Sequence, residues 1–90
     1  MEITALFDDN KTIYTIKNEH GEHTTITLDK WAADLLQELL PDVHAWVQKK
    51  YDLICERKPE LTRREKGDVL RALARRDAEK SPKYPRLLDL

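Results

Sequence analysis

Residues 62–80 constrain the fold most, because they carry the strongest helix signals in the sequence. Thr62 and Glu65 have the spacing of a capping box, in which a hydroxyl and a carboxylate each satisfy an unpaired amide at the helix start. An apolar stripe follows at helical spacing, formed by Val69, Ala72 and Leu73. The stretch therefore predicts a helix over residues 62–80, with this stripe against the core.

Three short segments in the first third of the chain have the composition of β-strands. They span residues 2–8, 11–17 and 23–28. Turn-forming residues separate them, and Gly21 can adopt the positive φ that a tight turn needs. Such short connections predict a three-stranded antiparallel meander. Alternation along the third strand turns Ile26 and Leu28 inward, and it turns Thr25 and Thr27 outward.

Two more helices are predicted between the strands and residue 62, over residues 29–40 and 42–57. Asp29 is a good residue to cap the first. Pro41 either kinks one long helix or begins a second one, and the second reading is favoured because a residue before proline avoids helical geometry. We therefore expect one α+β domain over residues 1–80, a meander packed by three helices, with a C-terminal tail over residues 81–90.

Composition excludes several classes of protein. The net charge of −1 argues against a general polyanion binder, although residues 1–50 carry a net charge of −4 and residues 51–90 a net charge of +3. No apolar run approaches the roughly 18 residues of a membrane span, so no membrane partner is expected. The single Cys55 excludes an internal disulfide, and no secretory signal precedes the first strand. A cytoplasmic protein is the expectation.

No motif in the sequence predicts catalysis, a metal or a cofactor. His20 and His23 flank a turn, but His44 is the one histidine left to complete a site that needs three or four convergent ligands. The chain has two glycines, Gly21 and Gly67, and no phosphate-binding glycine loop. We expect a protein that is not an enzyme.

The basic residues of the last helix admit two interpretations. Arg64, Arg71 and Arg75 either pair with Asp68 and other carboxylates as a solvated face, or they hold phosphate oxygens together with the helix start. Trp31 and Trp46 also admit two interpretations: they are core residues, or, if they are partly exposed, interface residues.

Two segments together resemble the ribbon-helix-helix family of DNA-binding regulators. Residues 23–29 (HTTITLD) with the leucine-rich helix after them resemble the family's ribbon and first helix. Residues 61–73 (LTRREKGDVLRAL) resemble its second helix. In that family two strands of a dimer pair and enter the major groove of DNA. The resemblance covers about a third of the chain, and residues 42–60 are inserted between its two parts.

The resemblance implies a division of roles among the candidate residues. Thr25 and Thr27 would read base edges, and Thr62 and Arg63 would anchor phosphate at the helix start. The basic residues Arg64, Arg71 and Arg75 complete the predicted nucleic-acid-binding set. The expected function is a small DNA-binding regulator of transcription, of bacterial or mobile-element type, and the expected assembly is a homodimer. The alternative is a protein-interaction module such as an adaptor, an antitoxin-like partner or an inhibitor.

Overall fold

An antiparallel hairpin followed by three packed helices makes up the fold that the computed structural model describes over residues 11–84. Its elements are β1 (Lys11–Lys17), β2 (His23–Asp29), α1 (Lys30–Leu39), α2 (Val43–Arg57) and α3 (Arg63–Ala78). The predicted α+β class is confirmed. The described sheet has two strands where three were expected, and the predicted strand over residues 2–8 lies outside the described residues.

The hairpin divides its side chains between core and solvent as its sequence predicts. Ile16, Ile26 and Leu28 are buried against the helices, whereas Thr25 is exposed and Thr27 is half-buried. Because side chains alternate along a strand, one face of the ribbon belongs to the core and the other faces outward.

Two local features form the turn between the strands. Gly21 has a φ of 77°, the left-handed conformation expected for it. Asn18 is almost fully buried, and its Oδ1 accepts hydrogen bonds from the backbone N–H groups of His20 (2.9 Å) and Glu22 (3.0 Å). The turn is therefore held by its own side chain as well as by its backbone.

Pro41 separates two helices, which confirms the favoured reading. Leu40 is extended (φ −122°, ψ 142°), as expected of a residue before proline. Pro41 is not the first helical residue, however, because Asp42 follows it and caps α2 by accepting a hydrogen bond from the N–H of Ala45 (3.0 Å). The carboxylate of Asp29, expected to cap α1, makes no capping bond.

The face that α3 turns to the core differs from the predicted one. Its buried residues are Lys66, Gly67, Leu70, Ala74 and Ala78. Val69, expected in the core, is 36% exposed, Ala72 is exposed and Leu73 is half-buried. The prediction of an apolar stripe against the core is right for Leu73, which packs against the core cluster, and wrong for Val69 and Ala72. The helix is rotated from the predicted orientation, so that small residues and a lysine pack inward.

Both tryptophans are half-buried and pack against the edge of the core. The ring of Trp31 lies 5.8 Å from that of Tyr84, and the ammonium of Lys50 lies 5.8 Å from the ring centre of Trp46. Through Tyr84 the described start of the predicted tail docks against α1, while residues 85–90 lie outside the described residues. Across residues 11–84, no helix is long and apolar enough to cross a membrane.

Candidate nucleic-acid interface

The outward face of the hairpin is a small ribbon of polar and β-branched side chains. Thr15 lies opposite Thr25, and Ile13 lies opposite Thr27. Ile13 is 65% exposed, which is unusual for a large apolar side chain. Because all four side chains point away from the helices, they form one continuous surface across both strands.

Three arginines of α3 share one face of the helix, and two of them contact β2. Arg64, Arg71 and Arg75 lie on this face, the arginine row, since their spacing of seven and four residues closes whole turns. Arg71 Nη1 donates to the backbone carbonyl of Thr27 (3.4 Å), and Arg75 Nε donates to Asp29, so these two arginines lie at the outer edge of β2. The fold therefore brings Thr27 together with Arg71, and it leaves Arg64 without a contact to the ribbon among the described residues.

Carboxylates engage two of these three arginines. Arg71 Nη2 lies 2.6 Å from Asp68 Oδ1, and Arg75 Nε lies 2.5 Å from Asp29 Oδ2. Asp29 also accepts from Lys11 (3.2 Å), and the hydrogen bond from Arg75 lowers the pKa of the Asp29 carboxyl. Instead of capping α1, Asp29 thus joins both strands to α3. The pairing with Asp68 expected for a solvated arginine face is present at Arg71.

Gly67 leaves space for the guanidinium of Arg71. A Cβ atom at Gly67 would lie 3.3 Å from Arg71 Nη2, which is tighter than an ordinary contact. A glycine inside a helix usually allows the close approach of another group, such as a second helix or a phosphate. The group that approaches is a side chain of the same helix, on its way to β2.

At the start of α3, the hydroxyl of Thr62 and the two arginines after it differ in whether they are free to bind a ligand. Thr62 Oγ1 accepts from the N–H of Glu65 (3.1 Å) and Glu65 Oε1 accepts from the N–H of Thr62 (2.9 Å), so the predicted capping box is confirmed. The hydroxyl of Thr62 is therefore engaged within the helix start. Arg63 and Arg64 are exposed and form no ion pair with any residue of the described range 11–84.

Side chains occupy parts of both outer edges of the hairpin. On β1, the amide of Gln48 both accepts from the N–H of Lys17 and donates to its carbonyl, each at 2.9 Å, and His44 Nε2 lies 2.6 Å from the carbonyl oxygen of Thr15. On β2, Arg71 reaches Thr27. Both described strands of the ribbon therefore belong to one chain, whereas the ribbon-helix-helix family builds its ribbon from two chains.

An ion pair that sequence reasoning missed, between the buried Lys66 and the partly exposed Glu19, fixes α3 to the hairpin turn. Lys66 Nζ donates to Glu19 Oε2 (2.7 Å), and the hydroxyl of Tyr51 donates to Glu19 Oε1 (3.1 Å). The hydrogen bond from Lys66 lowers the pKa of Glu19 to about 2, and the same bond raises the pKa of Lys66. Burial raises the pKa of the neighbouring Cys55 thiol, which argues against a reactive thiolate. The sequence feature that could have indicated a buried Lys66 is its four-residue spacing from Leu70, which places both residues on one face of the helix.

None of the three histidines joins a metal cluster within the described residues. Residues 11–84 contain no group of three or more histidine, cysteine or carboxylate side chains that could hold a metal ion. Comparison of the chain with protein-family models, with curated proteins and with solved structures finds no match. The resemblance to the ribbon-helix-helix family thus rests on residues 23–29 and 61–73 alone.

Proposed function

We propose that this chain is a small, non-enzymatic, cytoplasmic DNA-binding regulator of bacterial or mobile-element type, which presents the outward face of its hairpin to the major groove. One observation carries the proposal: the outward ribbon face is flanked at the edge of β2 by Arg71 and Arg75 of the arginine row. The major groove of B-DNA admits a two-stranded β-ribbon, so the described hairpin has the right shape for it.

Within this proposal the ribbon face supplies sequence preference. The hydroxyl of an outward threonine both donates and accepts a hydrogen bond, and its methyl group can pack on the methyl of thymine. Thr25 is the better placed of the two predicted threonines because it is exposed, whereas Thr27 is half-buried beside Arg71. Ile13 adds an apolar contact opposite Thr27.

The arginines supply the contacts to phosphate, and they do so unequally. Arg63 and Arg64 are exposed and take the main role. Arg75 uses its Nε to bond Asp29, so its other N–H groups remain available to phosphate, and its side chain is 49% exposed. Arg71 is only 23% exposed and contacts both Asp68 and Thr27, so it orients the ribbon. Thr62 contributes by capping the helix that carries them.

A homodimer is part of this proposal, because one ribbon and a few arginines offer few phosphate contacts and two copies would double them. Sedimentation at micromolar protein, with and without a duplex, measures this directly. If the chain is a monomer in both conditions, the predicted homodimer is wrong, and any DNA binding must come from the ribbon of one chain.

The test is a fluorescence-anisotropy titration of the full chain on labelled mixed-sequence duplexes over a range of salt. We expect the logarithm of affinity to fall with the logarithm of salt, with a slope of about −0.9 for each neutralised phosphate. Arg64→Gln should shallow that slope by about one for all sequences, and Thr25→Ala should change the preference between sequences.

Arg57→Gln is the matched control, since it removes one exposed arginine from the end of α2 without touching the arginine row. It should leave the slope and the sequence preference unchanged. Absence of binding at low salt and micromolar protein, or equal losses in Arg57→Gln and Arg64→Gln, would refute the DNA-binding proposal.

A protein-interaction module is the second candidate function, and a different surface favours it. Val69 is 36% exposed and Leu73 is half-buried, on the side of α3 away from the arginine row. Apolar side chains at helical spacing that the core leaves uncovered are typical of a docking surface.

A further inference from the structure

A groove between α2 and α3 has an apolar floor. Leu53 and Ile54 of α2 and Leu73 of α3 line it, and its volume is about 260 Å³. Small-molecule pockets usually have volumes of about 300–1,000 Å³ and enclose their ligands. This groove is smaller and open to solvent, so its size suits a few apolar side chains of a larger partner.

Among residues 11–84, the charged residues that line the groove are all cations: Lys50, Arg57, Lys58 and Arg76. Arg57 and Lys58 form no ion pair within residues 11–84. Lys50 lies against the ring of Trp46, and Arg76 pairs with the adjacent Asp77 at 3.2 Å. The rim therefore carries positive charge that the fold leaves largely uncompensated.

Most of the described cations that lie outside the groove and outside the start of α3 have a carboxylate partner. Lys11, Lys30, Lys66, Arg75 and Lys83 each contact a carboxylate within the fold. The rim cations surround one small groove, so they act together on a charge bound there, because screening reaches about 8–10 Å at ordinary salt. A negatively charged partner would supply the carboxylates that the rim lacks.

The shape of the groove favours a helix as the bound element. A cleft between two helices accepts the apolar face of a third, which anchors residues at i, i+3, i+4 and i+7. No aromatic ring is among the described lining residues, so nucleic-acid bases would find no stacking platform there. Strand addition needs an open sheet edge, and both linings of the groove are helical.

We propose that this groove binds an acidic amphipathic helix of another protein, with leucine-like anchors on the floor and carboxylates on the rim. The inference rests on the second candidate function, the protein-interaction module, and names its class of partner. It is independent of DNA binding by the hairpin, because Arg64 and the groove lie on opposite sides of α3.

The probe is a fluorescein-labelled synthetic helix with leucines on one face and glutamates on the other, titrated with the full chain. Two control peptides are used. The first keeps the leucine stripe but carries lysine in place of glutamate, and the second keeps the composition but scatters the leucines. We expect micromolar binding of the first peptide alone. Arg57→Gln should weaken it by up to about fivefold, and Leu53→Gln by about tenfold or more.

Arg64→Gln is the matched control and should bind the peptide like the unmodified chain. Leu53 is half-buried, so circular dichroism must show that Leu53→Gln is folded, and the exposed Arg57→Gln decides the question if it is not. If the lysine peptide binds and the glutamate peptide does not, the proposal of an acidic partner is wrong, while the interpretation of the chain as a protein-interaction module is retained.

Failure of every peptide to bind at high micromolar protein would overturn the inference but not the interaction module, which also rests on the exposed Val69 outside the groove. Displacement of the acidic peptide by a mixed-sequence duplex, with duplex binding that Arg57→Gln weakens, would reassign the groove to nucleic acid. Self-association that Arg57→Gln abolishes, without peptide binding, would reassign it to a second copy of this chain.

Discussion

The rotation of α3 makes a sharp prediction about two adjacent residues. Leu70 is fully buried, whereas its neighbour Val69 is 36% exposed. Leu70→Ala removes three carbon groups from the core, which at about 0.8 kcal/mol each is a transfer loss of roughly 2.4 kcal/mol. The cavity that remains adds to this, so we expect a loss in the free energy of unfolding of about 2–5 kcal/mol.

Val69→Ala is the control for this prediction. It removes apolar surface that is already partly in water, and alanine has the higher helix propensity, so the change should stay within about 0.5 kcal/mol. Urea denaturation followed by far-UV circular dichroism measures both, and the Leu70 variant should also melt about 8–40 °C lower. Equal losses, or a larger loss at Val69, would refute the rotation and with it the exposed stripe beside the groove.

Two further predictions concern the contacts that position α3. Thr62→Ala should lower the free energy of unfolding by about 1 kcal/mol, because an amide at the helix start loses its acceptor; an unchanged urea midpoint would contradict the capping box. The pKa of Glu19 is lowered from 4.5 to about 2, so its stabilising contribution is present above pH 4.5 and is lost as the pH falls toward 2. Glu19→Gln should therefore flatten the acid dependence of stability in that window, modestly because Glu19 is 38% exposed and salt screens it. Parallel pH profiles for the two proteins would argue against the Lys66–Glu19 bond.

Local signals predicted the described secondary structure well. The capping box set the start of α3, Pro41 separated α1 from α2, and Gly21 took the turn conformation that its lack of a side chain allows. Each of these depends on atoms within a few residues along the chain, which is why the sequence alone was sufficient. The same holds for the inward side chains of β2, since alternation is a property of the strand itself.

The candidate interface was predictable only in part. Spacing placed Arg64, Arg71 and Arg75 on one face, and alternation placed Thr25 on the outward face of its strand. That the two surfaces lie side by side depends on Arg71 reaching Thr27 and on Arg75 reaching Asp29, across 44 and 46 residues of sequence. The role of Asp29 changed for the same reason, because two distant cations compete for the carboxylate that would have capped α1.

The sequence by itself determined where the described helices and strands begin and end, through caps, prolines and alternation. Only the tertiary structure decided which side of α3 faces the core. Periodicity counts a lysine as polar and so assigned the buried face to Val69, Ala72 and Leu73. In the folded chain Lys66 finds Glu19, 47 residues away, and the bond satisfies its charge. With that charge satisfied, Leu70 and the small Ala74 and Ala78 pack inward on the same side of the helix. Val69 and Ala72 of the more obvious apolar stripe are left at the surface.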